Sequence, residues 1–172
     1  MIVWLTGLSG AGKTTIGRAL AARWRRSAPN TVLVDGDDVR RLIGRAAGAD
    51  AYSESGRREV AERIIALCAW LDRQGINVVC CTISAFPDLV AQNRTRFSRY
   101  FEVLVDAPRD VIERRARDDL YGRARRGEIA NVIGVDLPYA PPTAPDMTID
   151  NGTPMRDPDA MAAAILDRAL AG

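Results

Sequence analysis

Gly7, Gly12, Lys13 and Thr14 stand at the spacing Gly, four residues, Gly-Lys-Thr, within M-I-V-W-L-T-G-L-S-G-A-G-K-T-T at the start of the chain. This is the P-loop pattern. Gly7, Gly10 and Gly12 allow the positive φ and close approach that a phosphate-wrapping loop needs. The loop's N–H groups would turn inward onto phosphate oxygens. Lys13 would reach the β- and γ-phosphates, and the Thr14 hydroxyl would hold Mg²⁺. The stretch Gly7, Leu8, Ser9, Gly10, Ala11, Gly12, Lys13, Thr14 and Thr15 is therefore expected to bind a nucleoside triphosphate.

A second chemical cluster is Asp35-Gly36-Asp37-Asp38-Val39-Arg40. Carboxylates at the C-terminal end of a strand lie where open α/β sheets bind ligands. Asp37 or Asp38 could equally cap the helix that follows. The chain has no histidine, so a zinc site is disfavoured and any general base must be a carboxylate or another group. The group beside the loop reads as a catalytic carboxylate with a substrate arginine.

These residues need strands and helices to hold them. Ile2–Leu5 is a short apolar run that suits a buried strand, and Ile16–Trp24 continues at helical spacing. Thr31–Val34 predicts a second strand. Ala46–Ser53 is a small-residue loop whose one large side chain is Tyr52. Glu54–Arg73 predicts a long helix with Val60, Ile64, Leu67, Cys68 and Leu71 as its apolar stripe and Gly75 at its end. Ile76–Ile83 predicts the most apolar strand, with Ser84 at its edge. A helix is expected over Pro87–Ser98, a strand over Phe101–Val105 and a helix from Arg109 to about Leu120. Tyr121–Pro145 carries seven Gly or Pro residues and little periodicity, so it is expected to be a structureless lid that excludes water. Met147–Ile149 and Asp157–Ala171 close the chain as strand and helix, with Pro158 in the first turn. Strands alternating with helices predict an α/β fold, a parallel sheet with helices on both faces, in a single domain over 1–172.

Composition excludes several classes. A net charge of +2 with arginines interleaved among acids makes no case for a nucleic-acid or membrane surface. No apolar run approaches the roughly 20 residues of a membrane helix. Cys68, Cys80 and Cys81 form no CxxC pair and read as buried small hydrophobes, which points to the cytoplasm. A switch NTPase would carry Asp-x-x-Gly at the end of its third strand, where this chain has Cys80-Cys81-Thr82-Ile83-Ser84.

Taken in order, the motifs resemble those of the adenylylsulfate kinase family. W-L-T-G-L-S-G-A-G-K-T-T is similar to its opening strand and loop, and D-G-D-D-V-R to its second-strand motif. Tyr52-Ser53 with Arg57 and Glu59 is similar to its substrate helix. Thr82-Ile83-Ser84, Phe101-Glu102-Val103, Asp106-Ala107-Pro108, Leu120-Tyr121, A-R-R-G-E-I and Gly134-Val135-Asp136-Leu137-Pro138-Tyr139 are similar to its later strands and lid. The resemblance implies a P-loop kinase three-layer sandwich with a five-stranded parallel sheet. It implies transfer of the γ-phosphoryl of MgATP to the ribose 3′-hydroxyl of adenylylsulfate. By position, Arg115 joins the loop on the ATP side. Asp35, Asp37, Arg40, Tyr52, Arg57, Val60, Ile83, Ser84, Asn131 and Val132 fall on the acceptor side. Asp37 would orient the attacking hydroxyl or take its proton, Arg40 and Arg57 would grip the phosphosulfate, and Tyr52 would stack on the base. A serine at the position of Ser84 is described in the family as a phosphoenzyme intermediate; direct in-line transfer gives Ser84 the role of hydrogen-bond donor instead.

The departures gather on the acceptor side. Asp118-Asp119 stands where the family has Lys-Gly, Val60 where it has Asn, Val132 where it has a stacking Phe, and Ala85-Phe86-Pro87 where Pro-Tyr-Arg is usual. They keep open an alternative acceptor, such as a cytidine diphosphoramidate. Related kinases often pair, and the stripe of the long helix would serve a core or a twin subunit of a homodimer equally.

Overall fold

The computed structural model describes residues 1–43 and 53–171. Strands β1 (Ile2–Thr6), β2 (Thr31–Asp35), β3 (Asn77–Cys81), β4 (Tyr100–Asp106) and β5 (Met147–Asp150) form one parallel sheet in the order β2-β3-β1-β4-β5. β1 is central and fully buried, which is why its five residues are apolar apart from the last, Thr6. Its alternation assigns the two faces: Val3 and Leu5 point to one side, Ile2 and Trp4 to the other.

On the first face lie α1 (Lys13–Arg25) and α8 (Pro158–Ala171), burying Ile16, Leu20, Trp24, Met161 and Ile165. On the second lie α2 (Gly36–Ile43) and α3 (Glu54–Arg73), with Val39, Val60, Ile64 and Cys68 against Trp4, Val78 and Cys80. Helices on both faces of a five-stranded parallel sheet complete the expected α/β sandwich. The α3 stripe is spent on this core, while Trp70, on its other side, is 53% exposed. Ser53 caps α3 by accepting the Gly56 N–H at 3.1 Å, and Gly75, at φ 72°, turns the chain out of it. All three cysteines are buried thiols.

Three segments differ from expectation. The helix expected over Pro87–Ser98 is two short ones, α4 (Pro87–Ala91) and α5 (Asn93–Arg96), because Asn93 and Phe97 are drawn into the interior. The helix from Arg109 ends at Arg115 (α6), since Ala116 is extended and Asp118 and Asp119 take left-handed φ of 53° and 50°. The stretch from Tyr121 is not structureless. Leu120–Arg125 forms α7, which sets Leu120, Tyr121 and Ala124 against Val111 and Ile112 of α6. Beyond it, Asp136 accepts the N–H groups of Asn131 and Val132, closing a tight turn that carries Gly134 at φ 89°.

Candidate active site

The loop after β1 wraps the start of α1, and its position is set by packing from beneath. At φ 89°, Gly10 lies so close to α6 that a Cβ there would sit 2.4 Å from the Ile112 carbonyl oxygen. Tyr121 of α7 is 1% exposed and donates its hydroxyl to the Ser9 carbonyl at 2.9 Å. The Arg109 guanidinium lies 4.4 Å over the Tyr121 ring. A lid helix thus supports the loop directly.

A cleft of about 260 Å³ opens above the loop. Ser9, Gly10, Gly12, Lys13, Thr14, Thr15 and Arg115 line it. Gly7, Leu8 and Ala11 do not: Ala11 is buried in the core, and Leu8 packs on the lid cluster. Lys13 is buried, with Nζ donating to the Leu8 carbonyl at 2.9 Å. Desolvation lowers its pKa to about 8, opposed by the nearby carboxylates of Asp37 and Asp35. An anion in the cleft would reverse that shift. Thr14 donates its hydroxyl to Asp35 Oδ2 at 2.6 Å, so two oxygens meet at the mouth of the loop. Hard oxygen donors of this kind fit Mg²⁺, which keeps most of its shell from water and phosphate.

Asp35 also caps α2, its Oδ1 accepting the Asp37 N–H at 2.9 Å. The expected cap at Asp37 or Asp38 is therefore corrected: the helix already starts at Gly36, so both residues lie within its first turn. That frees the exposed Asp37 carboxyl to line the cleft, while Asp38 pairs with Arg41.

A second, narrower cavity of about 40 Å³ adjoins the first, and Arg40, Thr82 and Ile83 line both. Its other walls are Trp4, Arg57, Val60, Ala61, Ile64 and Ile65, then Ser84, Phe86, Leu89, Val90 and the lid residue Ile133. Ser84, at φ 57°, accepts the Trp4 indole N–H at 2.8 Å, which leaves its own proton to donate. Arg57 donates to the Asn131 main-chain carbonyl at 2.5 Å, tying α3 to the lid.

One expected acceptor residue is placed differently. Val132 is 4% exposed in the lid's own cluster with Val111, Ile112 and Tyr121, and its neighbour Ile133 forms the cavity wall. Tyr52 lies outside the described residues. Asp118, at the family's lysine position, lines neither cavity, and Asp119 pairs with Arg126 at 2.9 Å.

Sequence reasoning passed over Asn151. It follows β5 and is 3% exposed, with Nδ2 donating to the Ala11 carbonyl at 2.8 Å. Arg115 donates to the main-chain carbonyls of Asn151 at 2.6 Å and Gly152 at 2.8 Å. Asp150-Asn151-Gly152 closes a strand at the ligand end of the sheet, the same signal that singled out Asp35.

The family model for adenylylsulphate kinase matches residues 1–150. A cytidine diphosphoramidate kinase of Campylobacter jejuni is 36% identical over 150 residues, which is 87% of this chain and 85% of that one. An adenylyl-sulfate kinase of Pseudomonas aeruginosa is 39% identical over 160 residues, 92% and 79% of the two chains. Among solved structures, the APS kinase of Mycobacterium tuberculosis in complex with AMPPNP and APS superposes with a TM-score of 0.84 at 30% identity, covering 99% of this chain and 97% of that one.

Proposed function

Because the chain belongs to the adenylylsulphate kinase family, we propose that it transfers the γ-phosphoryl group of ATP to the ribose 3′-hydroxyl of adenylylsulfate. Family membership makes it a phosphotransferase with an alcohol group as acceptor. One observation supports the finer reading: the cleft above the loop and a second, narrower slot lined by the acceptor-side residues Arg57, Val60 and Ser84 share a wall at Arg40 and Thr82-Ile83, with Asp37 beside it.

The loop and Lys13 hold the triphosphate, and Arg115 flanks its base. Thr14, with Asp35, would hold Mg²⁺, which would neutralise charge on the transferring phosphate. Asp37 orients the 3′-hydroxyl and accepts its proton as the γ-phosphorus is attacked in line. Arg40 and Arg57 grip the acceptor's anionic tail, Val60 and Ile83 form its apolar bed, and Ser84 donates a hydrogen bond. Asn131 contributes through its carbonyl by fixing Arg57. Transfer is direct, so Ser84 needs no phosphorylated state. The whole chain, 1–172, acts as one catalytic unit in the cytoplasm, where its unpaired thiols suit a reducing medium.

A second acceptor is favoured by the slot itself. Its lid wall is the aliphatic Ile133, with Val132 turned away, so no lid ring is there to stack on an adenine, and the Campylobacter relative is named for a cytidine diphosphoramidate acceptor. A coupled assay of ADP release over a panel of nucleotides separates the two. Turnover with adenylylsulfate supports the first reading. Turnover with cytidine diphosphoramidate and none with adenylylsulfate replaces it with the second. Hydrolysis indifferent to every acceptor would refute both.

A further inference from the structure

We infer that Asn151 is a positioning residue of the phosphate nest: its side-chain amide grips the Ala11 carbonyl and thereby aims the Gly12 N–H at the nucleotide's phosphates. In a planar trans peptide, C=O and N–H point in opposite directions. Asn151 Nδ2 holds the Ala11 oxygen at 2.8 Å. The N–H of the same peptide, that of Gly12, must then face the opposite way, into the concavity of the loop.

Asn151 is itself fixed on every side. Its main-chain N–H donates to the Asp106 carbonyl at 2.7 Å. Its main-chain carbonyl takes one arm of Arg115, at 2.6 Å. Its side chain lies so close to the loop that a Cβ on Gly12 would stand 2.5 Å from Nδ2. Gly12, at φ 102°, therefore needs to be glycine for its backbone angle and for the space Asn151 fills. Among the described residues, the buried Asn151 Oδ1 atom has no hydrogen-bond partner, whereas Nδ2 has one. The donor side of the amide is the part in use. Preorganised amides of this kind do not have to turn when the phosphate arrives, and that is the source of their effect.

The inference rests on the nucleotide reading of the loop and holds for either acceptor. It is tested with the full chain as Asn151→Ala and as Asn151→Leu, which keeps the bulk and removes the donor. MgADP affinity is measured by calorimetry, and the Gly12 amide proton is followed by NMR in ¹⁵N-labelled protein. We expect both variants to bind MgADP about tenfold more weakly, and their Gly12 resonance to lose the downfield shift that ADP induces in the wild type. Wild-type affinity in a folded variant would overturn the inference. So would weakened binding with the Gly12 shift intact, because the amide would then be aimed without Asn151. Failure of the wild type to bind MgADP would instead remove the nucleotide reading, and this inference with it.

Discussion

Lys13 is the residue on which the chemistry and the electrostatics meet. Burial lowers its pKa to about 8, while the unfolded chain would titrate near 10.5. Between those values the unfolded state binds more protons, so this group's contribution to stability rises with pH there. Nucleotide phosphates favour the charged form and raise the folded pKa again. Binding of MgADP should therefore take up a proton above about pH 8, and affinity should fall as pH rises through that value. Calorimetry in two buffers of different ionisation heat measures the uptake; none at pH 8.5 would contradict the assignment. Lys13→Ala should drop phosphoryl transfer below about a tenth, the equivalent of 1.4 kcal/mol. Its melting temperature should not fall, since a desolvated charge is removed. At the same scale, the loop, the carboxylates of Asp35–Asp38 and Arg40 were legible from residue type and spacing, while Asp37 among those carboxylates, and Arg57, were singled out only by the family resemblance. Asn151 was not, because its value lies in one hydrogen bond to a backbone carbonyl 140 positions earlier.

At the scale of elements, the lid is where expectation and structure part. Glycines and prolines made Tyr121–Pro145 read as irregular, yet Leu120–Arg125 is a helix anchored on α6 and on the loop. Six residues with a central glycine give too little periodicity for a helix to be read from the sequence, and tertiary packing supplies what propensity lacks. Tyr121→Phe removes only the hydroxyl held by Ser9. It should cost about 1 kcal/mol, lower the melting temperature by roughly 2–4 °C, and raise the KM for ATP. An unchanged KM would mean that α7 does not set the loop. The Val132 and Ile133 pair gives a sharper contrast. Val132→Phe overpacks a buried cluster and should destabilise by about 1–3 kcal/mol without tightening any acceptor. Ile133→Ala should leave stability less affected and change the acceptor KM. The reverse pattern would put Val132 on the cavity after all. Sequence alternation cannot decide which of two adjacent aliphatics faces inward when the turn that orients them depends on the Asp136 carboxylate.

At the scale of the molecule, the parallel sheet and its two covered faces followed from strand–helix alternation and from the apolar runs of β1 and β3, whereas the strand order β2-β3-β1-β4-β5 is set by pairings that alternation does not specify. The resemblance to a family went further and reached the lid motifs that periodicity left blank. Neither separates the acceptors, since that depends on the shape of a slot closed by side chains from α3, α4 and the lid together. A ligand that binds only the folded state adds stability by mass action. MgADP at a hundred times its Kd should add about 2.7 kcal/mol, read as a melting shift of roughly 5–11 °C. Absence of any shift at that saturation would contradict a preformed nucleotide cleft.

The partition formed by Arg40 and Thr82-Ile83 has two sides. Two nucleosides tethered by a run of phosphates long enough to cross it would be chelated, each end raising the local concentration of the other. Such a bridged compound should outcompete either half by orders of magnitude. Its second base could then be exchanged one at a time, so that the tether acts as a gauge of which nucleoside the slot accepts.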